Sequence, residues 1–277
     1  LLRSGLENYV DRKDYIVQTK DHAIGRLQEY NLTREQTLQI WNNVDEDYFV
    51  NESVADIVWH TAAINKHELV DGPLISIRDI TSRRRTDEGA TQIFVYMQDS
   101  PHIFASIVSA LDALALNVMD AKIASSATDR VFDTFTVLES DGTPVGDKPF
   151  RRERIRTTLL KYLDQEERQK DTTTRRTPRA LRQFVLKTEV SITDQQDHSI
   201  LSVVAPDRPG LLAIIAQVFV EMDITVNTAR ITTLGERVED LFHVSKDEKP
   251  ICDEQTRSIL TDRICQRLDS HVEKEAV

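Results

Sequence analysis

The sequence predicts an α+β fold, in which a helical segment precedes two tandem copies of a ferredoxin-like βαββαβ unit. Three observations lead to this prediction. Apolar residues recur at helical spacing over residues 1–70, strand-like and helical patterns alternate from residue 74 onward, and the order of those patterns recurs in the second half of the chain. The chain has 277 residues, of which 40% are hydrophobic, so it is long enough for about two domains.

The helical segment carries its own start signals. Thr33 followed by Gln36 has the spacing of a capping box, and Ser53 precedes a second amphipathic run. The acidic run 45–47 interrupts the helical pattern, and we interpret it as a loop of solvated charges rather than a divalent-ion site. Because the first residues read as the middle of a helix, we expect this chain to be a fragment of a longer protein.

Two polar stretches flank the first repeat. A strand-like run, Leu74–Ile80, is followed by a loop over residues 81–89 with three consecutive arginines, for which an exposed loop is a simpler interpretation than a phosphate site. Residues 164–182 contain almost no apolar side chains, so we predict a flexible or extended linker there.

An internal repeat is the strongest signal in the sequence. Each copy shows a strand, an Asp-x-Pro turn, an apolar helix, two strands and a closing helix. The matched segments, first copy before second, are Ile93–Gln98 with Leu201–Pro206, Asp99–Pro101 with Asp207–Pro209, Val118–Ile123 with Val226–Ile231, and Asp133–Val137 with Asp240–Val244.

The second copy ends after its closing helix, so its sheet lacks a last strand and has an open edge. We predict that Leu74–Ile80 pairs with this sheet and completes it. The predicted boundaries are a helical connector over 1–70, the strand and loop over 71–90, a first domain over 91–193 that includes the linker, and a second domain over 194–277.

The Asp-x-Pro turn of the second copy is the candidate ligand site. Asp207 is in position to cap the following helix, Pro209 presets the backbone of its first turn, and Gly210 allows a ligand to approach the backbone. The unpaired N–H groups and the dipole of a helix start favour a carboxylate. The candidates in this turn are Asp207, Arg208, Pro209, Gly210, Leu211 and Leu212.

The corresponding turn of the first copy is the weaker candidate for binding a carboxylate, because the bulkier His102 takes the place of Gly210. Polar residues near the start of the second strand of each copy are expected to lie close to the turn, where neutral amides suit a zwitterion. The remaining candidates are Asp99, Ser100, His102, Asn117, Val118, Asp120, Val226 and Asn227.

Composition and motifs disfavour several other functions. The net charge of -11 argues against broad binding of nucleic acid or anionic membranes. No apolar run reaches the roughly 20 residues of a membrane span. Two cysteines are too few for a disulfide scaffold and suit a reducing cytoplasm.

The sequence contains none of the common catalytic motifs. The sequence lacks a glycine-rich phosphate loop, a nucleophile elbow and a metalloprotease motif. His60 and His67 lie seven residues apart on a helical pattern but lack a carboxylate at partner spacing, so we expect packed or surface histidines. We therefore expect no catalytic residue, metal ligand or cofactor in this chain.

Several runs resemble known families. The run Asp-Arg-Pro-Gly-Leu-Leu, Asp207–Leu212, resembles the signature of ACT domains, which bind amino acids at domain interfaces. Four further runs resemble the family of bacterial bifunctional PII uridylyltransferase/uridylyl-removing enzymes: Asp47–Thr61, Ile93–Tyr96, Asp133–Gly142 and Gly235–Phe242.

The resemblance implies that this chain is the C-terminal region of such an enzyme, a helical connector followed by two ACT domains. It implies that L-glutamine is the ligand, that it suppresses uridylylation of the PII protein and favours UMP removal, and that the whole enzyme uses Mg²⁺. The motifs of the family's transferase and hydrolase domains are missing, so we expect this region to be non-catalytic. Ser100 and Asn51 stand where the family usually has arginine.

Two alternatives stay open at this point. The ACT pair could sense another amino acid, or it could serve only as a module for dimerisation or for docking a protein. An independent enzyme has no supporting motif.

Overall fold

The computed structural model describes residues 2–42, 44–67, 72–80, 89–100, 102–126, 128–164, 187–234 and 237–274. The chain forms two compact units. One comprises residues 1–76, 94–99 and 124–133, and the other comprises residues 77–93, 100–123 and 134–277. Residues 165–182 of the predicted linker over 164–182, and the arginines at 83–85, lie outside the described residues.

The secondary structure follows the predicted order. The described helices are α1 (Leu2–Leu27), α2 (Arg34–Ile40), α3 (Glu46–Asn51), α4 (Val54–Asn65), α5 (Ile103–Ala113), α6 (Pro149–Leu163), α7 (Leu211–Glu221) and α8 (Glu254–Lys274). The described strands are β1 (Leu74–Ile80), β2 (Ala90–Gln98), β3 (Leu116–Lys122), β4 (Ser125–Ser126), β5 (Arg130–Glu139), β6 (Glu189–Asp194), β7 (Ser199–Pro206), β8 (Thr225–Arg230), β9 (Thr233–Leu234) and β10 (Arg237–Ser245). None of the helices among these residues is both long and apolar enough to cross a membrane.

The helix starts in the N-terminal segment confirm both predicted caps. The Thr33 hydroxyl accepts the Gln36 N–H at 3.2 Å, and the Gln36 side chain accepts the Thr33 N–H at 2.9 Å. Ser53 forms the same reciprocal pair with Asp56. Each box satisfies two backbone donors that a helix start otherwise leaves without a partner.

The prediction of a loop over the acidic run 45–47 is wrong. This run begins α3, because the Asp45 side chain accepts the Asp47 N–H at 2.8 Å and thereby caps the helix. Glu46 and Asp47 then occupy the first turn, where negative charge is favoured by the helix dipole.

An aromatic cluster forms the core of the first compact unit. His60 is fully buried and stacks on Phe94 with ring centroids 3.9 Å apart. Its Nδ1 lies 2.9 Å from the Tyr48 hydroxyl, and Phe132 packs beside the Tyr48 ring. His60 is therefore a packed core histidine, one of the two settings predicted for it.

Two antiparallel sheets with helices confirm the α+β fold of tandem ACT-type units. The first sheet has the order β1-β2-β5-β3, and the short strand β4 pairs with β5. The second has the matching order β6-β7-β10-β8, and β9 pairs with β10. This is the ferredoxin-like strand order, in which each of the two central strands is paired on both sides.

The edge strands correct one prediction. Leu74–Ile80 does not complete the second sheet, because it pairs beside β2 at the edge of the first. The second sheet is completed by β6, whose register runs antiparallel from Glu189 opposite Val204 to Asp194 opposite Ser199. The predicted boundary at residue 193 therefore falls inside a strand of the second repeat.

The physical reason is the order of elements within each repeat. Each copy begins with its edge strand and reads ββαββα, rather than ending with that strand. β6 and β7 are joined by residues 195–198 alone, and so short a connection has a low entropic cost of closure. The first repeat, β1 to α6, uses the same arrangement as the second, β6 to α8.

Candidate functional site

A cavity of about 240 Å³ lies between the two repeats, within the second compact unit. Its walls come from α5 and β3 of the first repeat and from the β7–α7 turn of the second. Contacts of α5 with α7 and of β3 with β8 bring these elements together, and Phe104 meets Phe242 edge-on with ring centroids 6.3 Å apart. The lining residues are Val108, Asp112, Leu116, Asn117, Val118, Met119, Asp207, Arg208, Pro209, Gly210, Leu211, Leu212, Ala213, Ile231, Val238 and Asp240.

The turn before α7 departs from the predicted capping. Gly210, not Asp207, is the N-cap, with φ 76° and ψ 0°, and α7 has no side-chain cap hydrogen bond. Pro209 consequently lies two residues before the first helical residue. The chain enters α7 through the left-handed region, which glycine adopts at little cost.

The uncapped start of α7 is a favourable place for an anion. The Leu211 N–H reaches back to the Arg208 carbonyl at 3.4 Å, and the N–H groups of the next two residues are those that a helix leaves without an intrahelical partner. These residues, Leu212 and Ala213, line the cavity. Their N–H groups and the helix dipole together favour negative charge.

Asp112 reaches the same turn from the first repeat. A Cβ atom added to Gly210 would lie 3.4 Å from the Asp112 Oδ2 atom. Asp112 is 8% exposed and lies in the last turn of α5, where the dipole of its own helix disfavours a carboxylate. The positive end of α7 offsets that cost.

Arg208 supplies the formal positive charge of the cavity wall. It is 9% exposed, which is unusual for an arginine outside a polar site. Its guanidinium is always charged and presents planar pairs of donors that match a carboxylate. The wall therefore combines one buried cation with several carboxylates, a lining suited to a zwitterion.

Asp240 is the most deeply buried carboxyl in this wall, at 1% exposure. Its Oδ1 accepts the Thr232 N–H at 3.3 Å, whereas its Oδ2 has no hydrogen-bond partner among the described residues. Burial raises the pKa of Asp240 to about 7, and the nearby negative charge of Asp207 adds to the shift. Burial also raises the pKa of Asp207, although a hydrogen bond from the Arg208 N–H opposes this.

The first repeat contains a counterpart of this carboxyl, outside the cavity. Asp133, which the sequence repeat aligns with Asp240, is 1% exposed, and its Oδ1 has no hydrogen-bond partner within the described ranges. Burial raises the pKa of Asp133 well above its usual value, while a backbone hydrogen bond from Ala124 lowers it. The negative charge of Asp99, the counterpart of Asp207, raises it further.

The structure brings together only part of the predicted set. Both halves of the cavity wall contain candidates, which are Asn117 and Val118 from β3 and the whole run Asp207–Leu212. The other candidates lie outside the cavity: Asp120 in β3, Val226 and Asn227 in β8, and Asp99, Ser100 and His102 before α5. His102 is the N-cap of α5 with φ 68°, the same backbone state as Gly210.

Sequence reasoning missed Asp112 and Asp240. In β10 the inward positions are Val238, Asp240, Phe242 and Val244, so an aspartate interrupts a buried apolar row. Burying a charged side chain on a strand costs free energy unless the charge has a partner, so Asp240 could have been recognised in the sequence as a candidate site residue. Asp112 is a weaker candidate by sequence alone, because it is only an acidic residue near the end of an apolar helix.

Among the described residues, no group of three or more His, Cys, Asp or Glu side chains is placed to hold a metal ion.

These features define a class of protein: a pair of tandem ACT-type units with a polar cavity between them, preceded by a helical segment. Residues 11–63 match the family model described as the uridylyltransferase GlnD fifth domain. The chain is 40% identical over 277 residues to the bifunctional uridylyltransferase/uridylyl-removing enzyme of Stutzerimonas stutzeri (strain A1501), covering 99% of this chain and 30% of that protein. The enzyme of Pseudomonas putida (strain GB-1) is 40% identical over 272 residues, covering 97% of this chain and 30% of the relative.

The chain is therefore similar, over nearly its whole length, to a region of the bifunctional uridylyltransferase/uridylyl-removing enzymes, as its motifs predict. It spans about 30% of the length of these relatives, which is consistent with their C-terminal region. Among solved structures, the aspartate kinase from Synechocystis matches with a TM-score of 0.37 and 18% identity, over 66% of this chain and 29% of that one.

Proposed function

We propose that this chain is the glutamine-sensing regulatory region of an enzyme that uridylylates and deuridylylates the PII nitrogen signalling protein. The observation that carries the proposal is the cavity between the repeats, which combines the uncapped start of α7, the buried Arg208 and several carboxyls. An α-amino acid carries both a carboxylate and an ammonium group, so it complements such a lining.

The ligand carboxylate is expected at the α7 start, where Leu212 and Ala213 offer backbone N–H groups and Arg208 offers a guanidinium. The side-chain amide is expected near Asn117 on β3, because an amide both donates and accepts hydrogen bonds. One ligand would then contact both repeats at once.

Such bridging supplies a route to regulation. A ligand shifts an equilibrium only by its different affinity for two arrangements, and a molecule held by both repeats favours the arrangement that closes the cavity. Coupling energies of about 1–3 kcal/mol are typical of linked sites. In the whole enzyme, glutamine would suppress uridylylation of PII and favour UMP removal, with Mg²⁺ acting at the catalytic domains and the protein working in the cytoplasm.

The test is calorimetric titration of this chain with L-glutamine, and with L-glutamate and L-asparagine for comparison. We expect saturable binding that is selective for glutamine, with one site per chain. Arg208→Met should weaken glutamine binding at least tenfold, because it removes a buried charge from the cavity wall. Arg237→Met is the matched control, since Arg237 is an exposed arginine on β10 that pairs with Glu239.

The alternatives give different outcomes. Preferential binding of another amino acid would identify a different sensor on the same scaffold. No heat with any amino acid, together with concentration-dependent self-association in sedimentation, would favour an ACT pair that serves only as an interaction module.

A further inference from the structure

We propose that Asp240, assisted by Asp207, forms the subsite that binds the ammonium group of the amino acid, so that only ligands with a free α-amino group are recognised. This inference rests on the proposed function and assigns a role to a carboxyl that the sequence motifs did not single out.

Asp240 carries an unpaired carboxyl oxygen. It is 1% exposed and lines the cavity, its Oδ1 accepts the Thr232 N–H, and its buried Oδ2 has no hydrogen-bond partner among the described residues. A buried polar atom without a partner costs free energy, and native proteins retain few of them. A ligand group that donates to Oδ2 would remove that cost.

The charge of the wall also favours an ammonium group. Asp112, Asp207 and Asp240 contribute three carboxyls, against the single guanidinium of Arg208 and the positive end of α7, beside which Asp112 already lies. The excess of acidic groups favours a ligand that also brings a cation, and an ammonium offers three donors for carboxylate oxygens.

Asp240 differs from its counterpart in the first repeat. Asp133 is equally buried in the same strand position of the first repeat, also has an oxygen without a hydrogen-bond partner among the described residues, but is absent from the lining of this cavity. A purely structural role would be shared by both aspartates. A ligand role in this cavity belongs to Asp240 alone, and Asp133→Asn is therefore a matched control.

The experiment is a double-mutant style cycle between protein and ligand. L-glutamine and 4-carbamoylbutanoate, which is glutamine without its amino group, are titrated into the wild-type chain, Asp240→Asn and Asp133→Asn. We expect Asp240→Asn to weaken glutamine binding by roughly 10- to 100-fold, the usual worth of a hydrogen bond to a charged group, and Asp133→Asn to change it less than about twofold. The analogue should bind the wild type at least tenfold more weakly than glutamine, and this preference should largely disappear in Asp240→Asn.

Circular dichroism and a thermal melt establish that each variant is folded. Should Asp240→Asn fail to fold, Asp207→Asn in the partly exposed turn takes its place in the cycle, with the same expected loss of preference for the amino group. Glutamine binding that survives these changes, or an undiminished preference for glutamine over its analogue, would overturn the ammonium subsite and leave the proposed function standing. A wild-type chain that binds no glutamine would overturn the proposed function and this inference with it.

Discussion

Replacing Gly210 by alanine tests how the turn before α7 is built. Gly210 has φ 76°, a conformation that costs an L-residue roughly 1–2 kcal/mol. The new Cβ would lie 3.4 Å from Asp112 Oδ2, an ordinary contact distance, so crowding adds little. Alanine also lowers the entropy of the unfolded chain, which offsets up to about 1 kcal/mol. We expect Gly210→Ala to reduce the free energy of unfolding by about 1 kcal/mol.

The assay is equilibrium unfolding in urea, with the midpoint and slope of the transition compared between variant and wild type. The matched control is His102→Ala, because His102 already occupies the same left-handed state at φ 68° and is exposed. It should change the unfolding free energy by less than about 0.5 kcal/mol, as exposed substitutions usually do. If Gly210→Ala is as stable as the wild type, the left-handed backbone at residue 210 does not require glycine.

Two further predictions concern buried polar groups. Asp240→Asn should become more stable relative to the wild type as pH rises from about 4 to 7. A carboxyl whose folded pKa is raised from 3.8 to about 7 binds more protons in the folded state, so the free energy of unfolding of the wild type falls over that window by roughly 4 kcal/mol. Asp141→Asn should show the opposite sign below about pH 4, because hydrogen bonds from Thr143 lower the pKa of Asp141 and the wild type loses that stabilisation as pH falls. Denaturant unfolding at pH 5 and pH 8 checks the Asp240 prediction, and unfolding at about pH 3 and pH 5 checks the Asp141 prediction. A pH-independent difference between Asp240→Asn and the wild type would refute the first of them. Thr61→Val should lower the free energy of unfolding by about 1–3 kcal/mol, because it leaves the buried Trp41 Nε1–H without its acceptor, which lies at 2.9 Å. Thr37→Val should lower it less, because the Thr33 carbonyl that accepts the Thr37 hydroxyl also accepts the Thr37 N–H and keeps a partner. Equal costs for the two valine variants, measured by urea unfolding, would contradict this reasoning.

Local signals predicted much of the fold. The capping residues Thr33 and Ser53 start their helices as expected, because a cap depends on residues only three positions away. The repeat predicts two strands after the apolar helix of each copy, and its matched segments Asp133–Val137 and Asp240–Val244 lie within β5 and β10.

Pairing between strands was harder to predict. Leu74–Ile80 was recognised as a strand, yet its partner was assigned to the wrong sheet. Alternation shows which face of a strand is buried, but it does not show which neighbour the strand pairs with. The open edge inferred for the second repeat is filled by β6, most of which lies within the predicted first domain over 91–193.

The candidate site shows the same division. The turn Asp207–Leu212 and the β3 residues Asn117 and Val118 line one cavity. Their counterparts in the other copy, the turn before α5 and the β8 residues Val226 and Asn227, do not line it. The repeat suggested a candidate site in each copy, with the first copy the weaker, because sequence similarity carries no information on packing between copies. Asp112 and Asp240 entered the site only through tertiary structure, from a helix end and from the buried row of a strand.

The most direct test of the central claim is hydrogen exchange of the backbone amides, followed by mass spectrometry with and without L-glutamine. We predict that glutamine slows exchange at the start of α7, over Leu211–Ala213, and in β3, over Leu116–Met119, while exchange at the start of α5 stays unchanged. Protection at the start of α5 in place of α7, or no protection in either repeat at saturating glutamine, would contradict a glutamine site in this cavity.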